Sequence, residues 1–331
     1  MRKYQVYGLG NALVDKEFEV TDSFLAAAGI EKGLMTLLDE QQHLDLLAKL
    51  KAEFGLIKRV GGGSAANSMV GIAQFGGDVF YACKVGDDET GEFYVDNLKQ
   101  AGVNIRVNEL SLTGQTGKCM VMVTPDAERT MNTYLGITAD LSEDELFLEE
   151  LAESDYLYIE GYLVTSETAK AAIQKAKAQA KANQCKIAMT FSDPSMVKYF
   201  KDGLTELLGD EKIDLLFCNE EEALTYTDET DLAKAAAKLL DKAKQVAITQ
   251  GANGASVYTQ DSVTQVESPK VTAVDTNGAG DMFAGAFLYG AAQGWDAEKS
   301  ATLACAAAAE VVTQFGPRIS KAAQQALLAK V

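Results

Sequence analysis

An α/β fold with a mainly parallel, helix-flanked central sheet is predicted by three features of this 331-residue chain. Short β-rich runs alternate with helical stretches rich in Ala, Lys and Leu. Polar or glycine-containing elements fall directly after several of those runs. Two stretches, about 12–38 and 103–136, break the rhythm with hairpin-like β segments of their own. Strands separated by helices require crossover βαβ units, which build parallel sheets covered by helices. Ligands in such sheets gather at the carboxyl ends of the strands.

The elements follow in order. Strands are predicted at 4–10, 79–85, 156–161, 187–191, 214–219 and 245–250, with helices at 168–182 and 231–243 between some of them. Gly10-Asn11, Asn219–Glu222 and Gln250-Gly251 stand just past strand ends, where the ligand rule looks for them. The irregular stretches include 118–124 and 129–135, joined by Pro125-Asp126-Ala127-Glu128 as a hairpin. Ala301 to Ala309 reads as a tightly packed helix. With few prolines and no Ser/Gly linker, residues 1–331 form one domain carrying a small inserted β lid at about 12–38 and 103–136.

Composition excludes several classes of function. A hydrophobic content of 47% is ample for a core and too high for disorder. A net charge of −18 argues against nucleic-acid and anionic-membrane partners, which need basic surface. No apolar run approaches membrane-spanning length and no charged-then-apolar leader opens the chain, so a cytoplasmic location is expected. Five cysteines without a CxxC pair read as buried small hydrophobes. His43 is the only histidine, which removes Ser-His-Asp, Cys-His and multi-histidine metal chemistry; it is expected on a helix surface.

The chemistry concentrates in residues 275–281, Asp-Thr-Asn-Gly-Ala-Gly-Asp, which run into an apolar helix. Glycines let backbone amides converge, and a helix N-terminus adds free N–H donors and partial positive charge, together an anion site. Asp281 lies beside it, where a carboxylate can take a proton from a hydroxyl attacking phosphorus. An isolated GxGD serves equally well as a helix cap; the whole heptad is more specific. Asn11 and Asp15 follow strand one, where a carboxylate can accept from paired hydroxyls; a turn Asn and a solvated Asp are the plainer alternative. A dinucleotide reading of Gly8-Leu9-Gly10 fails at its third glycine. A P-loop reading around Gly117-Lys118 fails because Leu112 and Cys119 occupy its first glycine and its Ser/Thr.

These motifs together resemble the ribokinase-type (PfkB) family of sugar and nucleoside kinases, along essentially the whole chain. The heptad is similar to the family's C-terminal signature, and Gly61-Gly62-Gly63-Ser64-Ala65-Ala66-Asn67-Ser68 to its N-terminal glycine motif. Gly76-Gly77, Val85-Gly86-Asp87-Asp88, Asn219–Glu222 and Thr249-Gln250-Gly251 follow in register. The adenosine-kinase branch is the most similar, through Gly10–Asp15, Ile159–Thr165, Leu216–Asn219 and Asn277. The resemblance implies a ribokinase-like fold and an ATP-dependent kinase acting on a nucleoside 5′-hydroxyl, with adenosine foremost; inosine, guanosine, ribose and fructose are the alternative acceptors, and a non-catalytic sensor a further one.

It also implies the site. Asp281 is the base, the amides of Gly278, Ala279 and Gly280 form the anion hole, and Arg129 clamps phosphate. Asn11, Leu13, Asp15, Gly62, Gly63, Asn67, Tyr162 and Leu163 bind the acceptor, with Leu163 where an aromatic stacks on the purine. Asn219, Glu222, Thr249, Gly251, Asn277 and Gly316 serve the nucleotide. Glu222 holds Mg2+ through water, and Asp275 and Ser320 contribute to a K+ site. A monomer or homodimer is implied.

Overall fold

The computed structural model describes residues 2–106 and 113–331, so Leu112 and part of the 103–136 stretch lie outside the described residues. In chain order the strands begin with β1 (Tyr4–Leu9), β2 (Leu13–Glu19), β3 (Met35–Leu37), β4 (Lys58–Gly61), β5 (Val79–Ala82), β6 (Asn104–Ile105) and β7 (Gly117–Val123). They continue with β8 (Arg129–Tyr134), β9 (Ser154–Glu160), β10 (Lys186–Thr190), β11 (Ile213–Asn219), β12 (Ala243–Thr249), β13 (Ala255–Thr259) and β14 (Val263–Val266).

Nine strands form the main sheet in the order β14-β13-β12-β11-β10-β9-β1-β5-β6. Pairing is parallel from β12 to β6 and antiparallel only at the β12-β13-β14 edge. Successive residues point to opposite faces: Val6 of β1 enters one apolar core with Tyr81, Phe217 and Phe283, while Tyr7 and Leu9 enter the other with Ile159 and Leu216. This is the ribokinase-like architecture expected. All six predicted main-sheet strands form, each ending at most three residues from expectation. The predicted 231–243 helix shortens to Leu232–Leu239, because Ala243 already begins β12.

A second, five-stranded sheet has the order β3-β8-β7-β2-β4. The β7-β8 hairpin is the one read from the sequence. The bounds drawn for this unit need two corrections. Strand β4 belongs to it although it lies beyond 12–38, pairing Lys58 with Glu17 and Gly61 with Val14. Strand β6, inside 103–136, pairs with β5 of the main sheet. Both strands are too short to show a period. His43 is also corrected: it is buried in the helix Glu40–Glu53 beneath Tyr134, and burial with the nearby Lys16 and Lys118 lowers its pKa to about 4. The five cysteines are buried and unbridged. No described helix is long and apolar enough to cross a membrane.

One packing detail positions the chemistry. The helices Ser64–Phe75 and Ala279–Ala292 cross in close contact at Gly285, where a Cβ would lie 2.6 Å from the Ser68 carbonyl oxygen. Only glycine permits that approach. One turn earlier on the same helix, Asp281 is thereby brought to Ser64 and Asn67.

Candidate active site

A cleft runs between the two sheets at the carboxyl ends of β1 and β9, the place where ligands collect in such folds. Its floor is Asp281, in the first turn of the helix Ala279–Ala292. Ser64 Oγ donates to Asp281 Oδ1 at 2.7 Å and Asn67 Nδ2 to Oδ2 at 2.9 Å. Burial raises the pKa of this carboxyl; the bonds from Asn67 and Ser64, and the charges of Arg129 and Arg318, pull it back. A carboxylate that accepts one bond on each oxygen keeps further lone pairs for an incoming hydroxyl.

Gly278 precedes that helix with φ +78°, a left-handed conformation that suits glycine. The first amides of a helix have no intrahelical partner: Ala279 N donates outside the helix, to the Thr276 carbonyl at 3.3 Å, while Gly280 N has no backbone acceptor among the described residues and is open to an anion. Asn277 also lines the cleft, and its buried Nδ2 has no acceptor among the described residues. Asp275 lies behind, fully buried, accepting from Asn277 N and Gly316 N at 2.8 Å each.

Asn11, Leu13 and Asp15 enter from β1 and β2, alternation on β2 placing Leu13, Asp15 and Glu17 on one face. Asp15 is only 5% exposed, and burial with Glu17 holds its pKa well above the carboxylate range, Arg318 opposing. Gly62 does not line the cleft: it lies under Asp15, whose carboxylate would collide with any Cβ there. Gly63 and Asn67 do line it. Arg129, on β8, reaches across to the main body, 3.5 Å from the buried Asp193. Tyr162 faces the cleft with its hydroxyl 3.3 Å from Asp193. Leu163 does not. It is 1% exposed within the apolar core, so Tyr162, one residue earlier, supplies the aromatic expected at the cleft.

The second group gathers elsewhere. Asn219, Thr249 and Gly251 line an open groove at the ends of β11 and β12, which lie side by side in the sheet. Asn219 and Glu222 close a capping box at the start of the helix Glu220–Thr227, with reciprocal 2.8 Å bonds. Burial raises Glu222 to about 8. Gly316 contacts neither cavity; it is buried behind Asp275. Ser320 is exposed and caps the helix Lys321–Leu328, apart from Asp275.

Several cleft residues escaped sequence reading. Glu160 ends β9 fully buried, accepting from Asn11 N at 2.7 Å and Ala65 N at 2.8 Å, and burial lifts it to about 7. A carboxylate closing an apolar strand was its signal. Met35, Leu37, Met131 and Leu135 of the second sheet form an apolar wall, and Arg318 sits behind Asn67. Nothing local marked these five.

Comparison with known proteins agrees with this architecture. The family model of pfkB family carbohydrate kinases matches residues 37–324. Adenosine kinase of Saccharomyces cerevisiae is 31% identical over 93% of this chain and 95% of its own. Among solved structures, the adenosine kinase of Sinorhizobium meliloti superposes with a TM-score of 0.94 at 34% identity, covering 99% of this chain and 100% of that one. A probable sugar kinase from Rhizobium etli gives 0.95 at 31%, covering 100% and 99%. By a matched family signature and full-length likeness in sequence and fold, the chain belongs to the pfkB family of carbohydrate kinases and is an ATP-dependent kinase.

Proposed function

We propose that this kinase phosphorylates the 5′-hydroxyl of a nucleoside, adenosine before inosine or guanosine, with Asp281 as the general base. The observation that carries the reading is the mixed lining of the inter-sheet cleft. It combines Asn11, Asp15, Asn67 and Asp281, suited to hydroxyls, with the apolar side chains of Leu13, Met35, Leu37, Met131 and Leu135 and the ring of Tyr162. A free sugar presents hydroxyls on every side and gains little from such a wall. A purine covering it gains about 25 cal/mol per Å2 of apolar area removed from water.

In this reading Asp15 and Asn11 grip the ribose, and Asp281 receives the proton of the attacking hydroxyl. ATP lies along the open groove at Asn219, Thr249 and Gly251, its γ-phosphate against the amides of Gly278, Ala279 and Gly280. Arg129 neutralises charge there once released from Asp193, and the second sheet acts as a lid that excludes water. Glu222 Oε2 is bonded to Asn219 N, and Oε1 has no donor among the described residues; this hard oxygen suits Mg2+ held through water. Bound there, the ion supplies charge neutralisation on the phosphates.

For a monovalent cation, Asp275 keeps lone pairs beyond the one backbone amide that each oxygen accepts, whereas Ser320 Oγ caps its own helix and the Lys58 ammonium donates to the Phe315 carbonyl at 3.0 Å.

The test is ADP release with adenosine, inosine, guanosine, ribose and fructose as acceptors at matched concentrations. Adenosine should give the highest kcat/KM. Ribose or fructose matching it would replace the nucleoside reading with a sugar-kinase one.

A further inference from the structure

We propose that Arg318 is a positioning residue for phosphoryl transfer, holding the Asn67 amide on Asp281 and placing a half-buried positive charge beside the cleft carboxylates. The inference rests on Asp281 as the base.

Arg318 Nε donates to Asn67 Oδ1 at 2.9 Å, and Nη1 to Asn97 Oδ1 at 2.6 Å. A guanidinium has five donors and no acceptor, so the Asn67 atom facing it must be the oxygen. The amide nitrogen is thereby turned to Asp281 Oδ2, 2.9 Å away. With Ser64 on Oδ1, both oxygens of the base are fixed by donors. Without Arg318 the Asn67 oxygen loses its donor, and only the Asp281 carboxylate is left to orient the amide.

The charge acts separately. Among the described residues no carboxylate lies within ion-pair distance of Arg318; its bonds go to neutral amides, and Nη2 is buried without a partner. Its field therefore reaches the two carboxylates nearby, Asp15 and Asp281. The groups facing Asp281 are Arg129 from β8 and Arg318 as cations, Asp15 from β2 and Glu160 from β9 as carboxylates, and Tyr158 and Tyr162 as phenols. Both cations favour the charged form of Asp281, so losing either one favours a protonated base. The loop that carries Arg318 is tied to the heptad by the Gly316 N bond to Asp275, which keeps the guanidinium in register with the anion site.

The experiment measures kcat and kcat/KM for adenosine and for ATP between pH 5 and 9 in wild type, R318M, R318K and N97L, with thermal melts as the check on folding. Folded R318M should lose roughly ten- to hundredfold in kcat, with ATP KM unchanged. Its acidic limb should rise by about one pH unit. R318K should restore the limb but not kcat, because an ammonium lacks the planar fork. N97L, which removes one anchor only, should show a smaller change of the same sign. Folded R318M with the wild-type acidic limb overturns the inference. Should R318M not fold, wild-type kcat and limb in both R318K and N97L overturn it instead. D281N separates the two readings: if D281N stays active the base assignment fails, whereas inactive D281N with unaltered Arg318 variants sinks this inference alone.

Discussion

The inter-sheet cleft is lined mainly by buried and half-buried residues, Leu37 and Gly280 being exposed, while the groove at Asn219 and Gly251 opens to solvent over half-buried and exposed ones only. In the first, Asn67 and Asp15 are 3% and 5% exposed and Glu160 is fully buried, each held by or near a specific partner. In the second, Glu221 and Gly251 face water, and the ordered feature is a helix cap. Desolvated polar groups interact strongly and are costly to leave unpaired; solvated ones do little. One region should therefore be intolerant of substitution and the other forgiving.

The sharpest way to break that contrast is Asp281→Asn. The amide keeps the shape but cannot accept the hydroxyl proton, and losing a general base costs about 10²–10⁴-fold. The variant should bind ATP as the wild type does and turn over hardly at all. A kcat above one-tenth of wild type would remove Asp281 from the reaction.

Glu17 extends the contrast to stability. Both its oxygens are buried without a partner among the described residues, and burial and Asp275 raise it to about 7 from an ordinary value near 4.5, Lys58 opposing. The folded chain then binds more protons than the unfolded one between about pH 4.5 and 7, so this stabilisation is complete below that window and fades as pH rises through it. The shift corresponds to about 3 kcal/mol. Urea melts should show wild-type stability falling across the window relative to Glu17→Gln; parallel curves would contradict the assignment.

Next in size is Asp15→Ala. If Asp15 accepts from ribose hydroxyls, its loss should cost on the order of 2–3 kcal/mol in acceptor affinity and leave ATP KM in place. Equal changes in both constants, or in neither, would detach Asp15 from the ribose.

How far these regions were legible in the sequence follows from the same physics. The parallel sheet was readable because short β-rich runs alternate with helical stretches, and the heptad because all seven residues together, entering an apolar helix, are more specific than an isolated glycine cap. Leu163 was misplaced by one residue, since a turn of 3₁₀ helix at Gly161–Thr165 decides which side chain faces the cleft and no period predicts it. Strand β4 was lost in a glycine run. Arg318 carries no local signal: its role depends on Asn67 and Asn97, more than 200 residues earlier, meeting it in space.

The smallest expected effect tests the forgiving side. Glu221 is exposed on the rim of the open groove and makes no side-chain hydrogen bond or ion pair with the described residues. Its charge favours the first turn of the helix Glu220–Thr227, worth a few tenths of a kcal/mol at an exposed site, and it repels an approaching polyphosphate by a similarly screened amount. In Glu221→Gln the two terms oppose one another. Thermal stability should drop by no more than about 0.5 kcal/mol, and ATP KM should stay within about twofold of wild type, moving down if at all. Repeating the assay at high salt should erase even that difference, because a solvated charge is screened within about 10 Å. A tenfold change in ATP KM would mean that the groove is read by side chains after all, and the contrast between the two regions would fail on its tolerant side.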